Sequence, residues 1–155
     1  MKNKLPTLHR FGSYVVELCY SRPLLSEMYH VSCAEDAEKY LRIFINAKQL
    51  DLRECFWVIL MTNANRILAI SKVATGTSKG VQTNTKYIFQ LALLTNASAI
   101  IVAHSHPSGS LNISASDIKE TRKISSVAKA MEITLLDHLI ITSESFVSLA
   151  QEDKL

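Results

Sequence analysis

Two histidines one residue apart end an apolar stretch of the chain, in the segment "IIVAHSHPSG". In a β-strand, side chains two residues apart lie on the same face, so His104 and His106 can approach one ion. Zinc in proteins takes imidazole nitrogens and usually a third protein ligand, and it leaves one position for water where it acts in catalysis. Asp117 follows a turn that contains Pro107 and Gly109. We therefore expect Asp117 to be the third ligand of a zinc site.

A second interpretation of the same segment needs no metal. Ser114 and Asp117 have the S-x-x-D spacing of a capping box, which stabilises the start of a helix. Ser116 offers an alternative cap. The metal site is favoured by the joint pattern of two histidines on one face, a tight turn, and then a serine and an aspartate.

The composition indicates one globular domain. The chain has 155 residues, 48% of them hydrophobic, with only four Gly and three Pro. We expect an irregular N-terminal arm around a short strand over residues 1–34, followed by the domain over residues 35–155.

Several features bear on location and partners. The longest apolar runs, such as "CFWVILM", are far shorter than the roughly 20 residues that cross a bilayer, and the first ten residues lack the apolar core of a signal peptide. We expect a cytoplasmic protein without a membrane partner. Cys19, Cys33 and Cys55 form no C-x-x-C pair, which argues against a disulfide framework. The net charge of +3 is mild and its Lys and Arg residues are scattered, so we expect nucleic-acid binding to be weak at most.

The order of the elements predicts an α/β fold. Helical spacing of apolar residues predicts helices in 33–50, 85–97 and 114–133. The predicted packed faces include Phe44 in the first helix, Ile88, Leu91, Ala92 and Thr95 in the second, and Met131 in the third. A β-hairpin is expected over 54–74 and strands over 98–106 and 134–142, with 145–150 as a possible last strand. The first hairpin strand is apolar on both faces and should be central. This mixture predicts a mixed β-sheet sandwiched by helices.

The residues H-x-H-P and S-x-x-D, with seven residues between His106 and Ser114, resemble the signature of the JAMM metalloenzymes of the JAB/MPN family. "HSHPSG" and "LLDHLIIT" are similar to the bacterial RadC-like subfamily, in which Asn is usual at the position of Ser105. The resemblance covers residues 50–149. It implies a JAB/MPN-like fold, whose layering is similar to that of cytidine deaminases, and a side chain at Ser105 that points away from the metal. RadC-like proteins often begin with a helix-hairpin-helix-like region, which we do not expect in this chain.

The resemblance also implies a function. The segment "RECFWVILM" aligns with a RadC-like pattern that places Glu54 as general acid/base. Zinc held by His104, His106 and Asp117 would support hydrolysis of a peptide or isopeptide bond in a peptide or protein conjugate, and Ser114 would stabilise the oxyanion. Without the resemblance, Glu54 could also be a solvated glutamate at the end of a strand, with no catalytic role. Asp137 and His138 are expected to be a satisfied core pair or to support a ligand rather than to coordinate metal.

Two alternatives come from other classes of protein. A catalytically idle or DNA-repair-associated accessory module would fit the family label, but the scattered basic residues do not favour it. A zinc nucleoside deaminase requires H-x-E and P-C-x-x-C, and the sequence contains neither motif. The sequence identifies neither the specific substrate nor the oligomeric state.

Overall fold

A computed structural model describes residues 20–77 and 80–155 of the chain. In this part, five strands and three α-helices alternate along the sequence. They are β1 (Cys55–Met61), β2 (Ile67–Thr75), β3 (Ala99–Ser105), β4 (Thr134–Ile141) and β5 (Phe146–Ser148), with α1 (Ala34–Phe44), α2 (Thr85–Leu94) and α3 (Ala115–Ala130). Short 3₁₀ turns occur at Leu25–Glu27 and Ala47–Gln49.

The strands form one mixed sheet in the order β2-β1-β3-β4-β5. β1 is antiparallel to both β2 and β3, and β5 is antiparallel to β4. β3 and β4 are parallel, and α3 makes the crossover between them, as a parallel pair requires. The predicted hairpin and the mixed sheet are confirmed.

Helices cover both faces of the sheet. On one face, α2 and α3 pack through Ile88, Ala92 and Ile124 against a core that includes Val58 and Val102. On the other face, α1 packs through Ala37 and Leu41 against a second core. All seven residues of β1 are buried, which confirms that this strand is central. The predicted α/β sandwich with helices on both faces is therefore confirmed.

Two residues assigned to apolar helix faces lie at the surface instead. Phe44 is 50% exposed and Met131 is 45% exposed. Phe44 is the last residue of α1, and Met131 is the C-cap of α3, so neither is followed by another helical turn. Helical spacing locates a buried face only as far as the helix continues. Conversely, Phe89 on α2 is buried although the predicted face omitted it.

The predicted strand of the N-terminal arm falls on residues outside the described part. From Tyr20 onward the chain runs beside the start of β2, where the Tyr20 hydroxyl donates to Leu68 O at 3.1 Å. Further along, Val31 N donates to Asn65 O at 2.9 Å. The boundary at residue 35 stays a prediction. Among the described helices, none is both long and apolar enough to cross a bilayer.

Candidate metal centre

His104 and His106 lie where the chain leaves β3 beside its parallel neighbour β4. His104 is the sixth residue of β3, and His106 follows the strand directly, with its backbone N–H bonded to Ile141 O at 3.0 Å. The two side chains therefore stay on one face, and their Nε2 atoms are 2.9 Å apart. Gly109 closes the turn with a positive φ of 75°, a conformation that favours glycine.

Asp117 approaches the same point from the first turn of α3. Its Oδ1 is 3.2 Å from His104 Nε2, and its Oδ2 is 3.8 Å from His106 Nε2. The capping box is also present, because Asp117 N donates to Ser114 Oγ and Ser114 N donates to Asp117 Oδ2 at 2.7 Å. The cap is Ser114 rather than the alternative Ser116. The two interpretations of this motif are compatible, since the box orients the carboxylate toward the histidines.

The three side chains fit a small metal ion. One ligand atom from each of His104, His106 and Asp117 lies within 4.8 Å of the others. Tetrahedral zinc with ligands at roughly 2.0–2.1 Å requires separations of roughly 3.3–3.4 Å between ligand atoms. The two Nε2 atoms are 2.9 Å apart, and the two oxygens of Asp117 lie 3.2 Å from His104 Nε2 and 3.8 Å from His106 Nε2, so the separations are close to that requirement. The triad is thus a possible metal site, with two neutral nitrogens and one carboxylate as donors.

Hydrogen bonds leave the Nε2 atoms of both histidines facing one another. His106 Nδ1 lies 2.8 Å from Ser110 O, and since a carbonyl only accepts, His106 must carry its proton on Nδ1. His104 Nδ1 lies 2.8 Å from His138 Nε2, and His138 Nδ1 lies 2.6 Å from Thr121 Oγ1. Phe56 packs against both His104 and His138, with ring centroids 6.1 and 5.6 Å away. The His104 side chain is therefore held by a buried chain of hydrogen bonds and by the Phe56 ring.

Burial and charge shift the pKa of two groups at the site. Burial lowers the pKa of His138 well below 6.5, and the neighbouring His104 lowers it further. Partial burial raises the pKa of Asp117, but the close contact of its carboxylate with the His104 imidazole and the hydrogen bonding with Ser114 outweigh that effect, so its pKa lies well below the usual value. At neutral pH, Asp117 is anionic and His138 is neutral, the states that suit a carboxylate ligand and an uncharged supporting imidazole.

Glu54 lines the same cleft as the triad. The cleft has a volume of about 630 Å³, and its walls also include Ser114, Ser116, Glu120 and Lys123. Glu54 is half-buried and immediately precedes β1. Glu54 does not belong to the group of three candidate metal ligands. It is a separate carboxylate that lines the same cleft.

The backbone around Glu54 is held on both sides. Glu54 N donates to Thr77 O at 3.0 Å, and Gly76 N donates to Glu54 O at 2.8 Å. Gly76 must be glycine, because a Cβ there would lie 2.1 Å from Gly80 O. The segment that contains Gly76 and Thr77 thus positions Glu54, and Gly80 lines the cleft.

Ser105 points to the opposite face of the sheet from the two histidines. Its hydroxyl accepts from Cys55 N at 2.9 Å and donates to Arg53 O at 3.2 Å, so it bonds both residues that flank Glu54. Neither Ser105 nor Thr121 is among the site residues predicted from the sequence. The sequence signal that could have directed attention to Ser105 is its position between two candidate ligands at the end of an apolar run.

Asp137 and His138 have different surroundings. His138 contacts His104, whereas the Asp137 carboxylate accepts from Ser148 Oγ at 2.6 Å and from Ala150 N at 3.0 Å. His138 N also donates to Asp137 Oδ1 at 2.7 Å. Asp137 thus lies on the α1 side as a satisfied core carboxylate, while His138 occupies a position that supports a ligand.

Together, the fold and the triad define a three-layer α/β domain with a possible metal site at the end of a central strand. A family model described as "RadC-like JAB domain" matches residues 31–155. The chain belongs to the RadC-like JAB domain family, which confirms the resemblance seen in its motifs.

Curated relatives carry the name UPF0758 protein. One from Actinobacillus succinogenes is 39% identical over 65% of this chain and 46% of its own length. One from Flavobacterium johnsoniae is 34% identical over 64% of this chain and 43% of its own length. One from Haemophilus influenzae is 35% identical over 84% of this chain and 59% of its own length. The matched part thus spans about half the length of these relatives.

Proposed function

We propose that this chain is a zinc-dependent metallohydrolase that cleaves peptide or isopeptide bonds. The observation that carries the proposal is the position of Glu54, a carboxylate outside the possible metal triad that lines the same cleft as His104, His106 and Asp117. A triad alone would indicate only that a metal ion can bind. A triad that shares an open cleft with a separate carboxylate is the arrangement that metal-assisted hydrolysis requires.

The choice of zinc follows from the donor set. Two imidazole nitrogens and one carboxylate oxygen suit zinc, and three protein ligands leave a position open for catalysis. A bound zinc ion would lower the pKa of water to about 7 and would polarise the carbonyl of the scissile bond. In this proposal, His104, His106 and Asp117 hold the ion, and the anionic state of Asp117 favours a cation at neutral pH.

Glu54 and Ser114 would supply the remaining chemistry. Glu54 would take a proton from the attacking water and return it to the departing amine, so that one carboxylate serves as base and then as acid. Ser114 Oγ accepts from Asp117 N at 3.1 Å and retains its own proton as a donor. That O–H would hydrogen-bond the oxyanion of the tetrahedral intermediate.

The test separates proton transfer from metal binding. Glu54→Gln is nearly isosteric but cannot act as a base, so we expect zinc content and unfolding temperature to stay as in wild type while turnover falls roughly 10²- to 10⁴-fold. Glu120→Gln is the matched control, because Glu120 lines the same cleft and bonds Lys123 and Thr85 at 3.5 Å. Cleavage is measured with a peptide library and with isopeptide-linked conjugates, and zinc by elemental analysis of protein purified without a polyhistidine tag.

Two outcomes would contradict the proposal. One is wild-type turnover by Glu54→Gln on a substrate that wild type cleaves. The other is purified wild-type protein without zinc that also binds none when zinc is added.

A further inference from the structure

Thr121 connects the backbone of one candidate ligand to the support of another. It lies on α3 one turn after Asp117 and is 0% exposed. Its hydroxyl donates to Asp117 O at 2.7 Å, and the same oxygen lies 2.6 Å from His138 Nδ1. Thr121 is not among the site residues predicted from the sequence, and the proposed chemistry does not use it directly.

The single proton of this hydroxyl determines the direction of the chain. A carbonyl oxygen only accepts, so the Thr121 proton lies toward Asp117 O, and Thr121 Oγ1 must accept from His138 Nδ1–H. His138 is 1% exposed, and such burial favours the neutral imidazole, which carries one N–H. Its Nε2 is then a lone pair that accepts from His104 Nδ1–H at 2.8 Å. The lone pair of His104 Nε2 is left facing His106 and Asp117.

The opposite direction would be unfavourable at Thr121 and would block the metal position at His104. If Thr121 donated to His138, two oxygen lone pairs would face each other across the 2.7 Å between Thr121 Oγ1 and Asp117 O. His138 would then donate from Nε2 to His104 Nδ1, and the proton of neutral His104 would lie on Nε2. That proton would occupy the direction in which a metal must bind.

We propose that Thr121 is a positioning residue that fixes the tautomer of His138 and, through it, presents the unprotonated Nε2 of His104 to a metal ion. This inference rests on the metal centre of the proposed function and deepens it. A metal-ligating histidine usually donates its other N–H to a carboxylate, a carbonyl or water. Here the acceptor is a second imidazole, which accepts only in one tautomer and therefore needs a group that selects it.

Zinc affinity tests the role of the hydroxyl. Thr121→Val keeps the shape but cannot accept from His138, and we expect roughly 10- to 100-fold weaker zinc binding in a chelator competition. Thr121→Ser keeps the hydroxyl and should restore affinity to near wild type. Thr95→Val is the matched control, because Thr95 is also buried and donates to a carbonyl four residues earlier, Leu91 O, at 2.9 Å. It should lose stability without losing zinc affinity.

Nuclear magnetic resonance of ¹⁵N-labelled histidine tests the tautomer directly. In wild type, with and without zinc, His138 should carry its proton on Nδ1, and this signature should change in Thr121→Val. A wild-type His138 with its proton on Nε2 would overturn the inference, as would unchanged zinc affinity in a folded Thr121→Val. If that variant does not fold, the wild-type spectrum and the Thr121→Ser affinity still decide the outcome.

The failures of the two proposals are distinguishable. Wild type that binds zinc but cleaves no peptide or conjugate contradicts the hydrolase and leaves the expected loss of affinity in Thr121→Val unchanged. Wild type that hydrolyses substrate while Thr121→Val binds zinc normally contradicts the role of Thr121 alone.

Discussion

Asp137 and His138 are adjacent in β4 and both are almost fully buried. Their side chains lie on opposite faces of the sheet. On the α3 face, His138 links Thr121 to His104. On the α1 face, Asp137 binds Ser148 and the backbone of Ala150. The side chains of two adjacent polar residues in one strand thus belong to two different networks.

The difference between the networks lies in where they end. The α1-face network closes on the protein itself, because each carboxylate oxygen of Asp137 has a donor from the chain. The α3-face network ends at His104 Nε2, His106 Nε2 and Asp117 Oδ1, three atoms that converge on one point of an open cleft. A closed network stabilises a fold, whereas a network that ends on convergent lone pairs is suited to hold an ion.

Removing an end of the α3-face network should have the largest effect. His104→Ala and Asp117→Ala each delete one of three ligands, and we expect zinc affinity to fall by more than roughly 100-fold, beyond the loss of a supporting group. Elemental analysis after dialysis against a weak chelator measures the effect. His30→Ala is a control, since His30 is exposed and contacts Ser32 rather than the triad. Full zinc retention by His104→Ala would refute its assignment as a ligand.

Breaking the α1-face network should change stability without changing metal binding. Asp137→Ala leaves Ser148 Oγ and the N–H groups of Ala150 and His138 without their acceptor. Unsatisfied buried donors cost about 1–3 kcal/mol each before relaxation, so we expect a loss of about 3 kcal/mol in the free energy of unfolding. Chemical denaturation measures it, and zinc stoichiometry is determined on the same samples. Loss of zinc from folded Asp137→Ala would show that the two networks are coupled.

The sequence was sufficient to predict the candidate metal triad and its capping serine, because these residues carry a local signal. One short segment contains His104, His106, Ser114 and Asp117. Within it, strand alternation and helix capping predict which side chains lie close together. The mixed sheet was also predictable, since β1 is apolar on both faces and the hairpin turn is polar. These features depend on neighbours along the chain.

The remaining contacts depend on pairs that are distant in the sequence. Thr121 meets His138 across 17 positions, and Ser105 meets Cys55 across 50. A threonine inside a helix and a serine inside a strand are ordinary residues until the register between β3, β4 and α3 is known. For the same reason, the sequence could offer two interpretations of Asp137 and His138 but could not separate the two residues.

Within the α3-face network, His138 and Asp117 should differ in the pH range over which acid destabilises the protein. The pKa of buried His138 is lowered well below 6.5 in the folded protein. As the pH falls below 6.5, the unfolded chain therefore binds a proton at this residue before the folded chain does. Stability from His138 is therefore complete above pH 6.5 and is lost as pH falls below it, with a slope of at most about 1.4 kcal/mol per pH unit. For Asp117, whose folded pKa is also lowered, the loss begins only below about pH 3.8.

Denaturation of chelator-treated protein at a series of pH values measures this difference. In His138→Gln the side chain no longer titrates, so the part of the slope between pH 6.5 and 5 that belongs to His138 should disappear. The Asp117 window at lower pH should remain. An unchanged slope in His138→Gln would mean that the folded protein accommodates the imidazolium.

Ser105 should show the smallest effect, and it tests whether the α1 face influences the cleft at all. Its hydroxyl bonds Cys55 N and Arg53 O, which bracket Glu54, although the side chain lies on the face away from the triad. Ser105→Ala leaves one buried N–H without a partner, and we expect a loss of about 1–2 kcal/mol in the free energy of unfolding. Zinc content should stay unchanged, while turnover should fall because the backbone of Glu54 is less constrained.

Ser148→Ala is the matched control, because Ser148 is also a buried serine, with its hydroxyl bonded to Asp137 rather than beside Glu54. If turnover falls in Ser105→Ala but not in Ser148→Ala, a residue on the opposite face of the sheet helps to position Glu54. Equal turnover in both variants would mean that the buried serines of the α1 face contribute to stability alone.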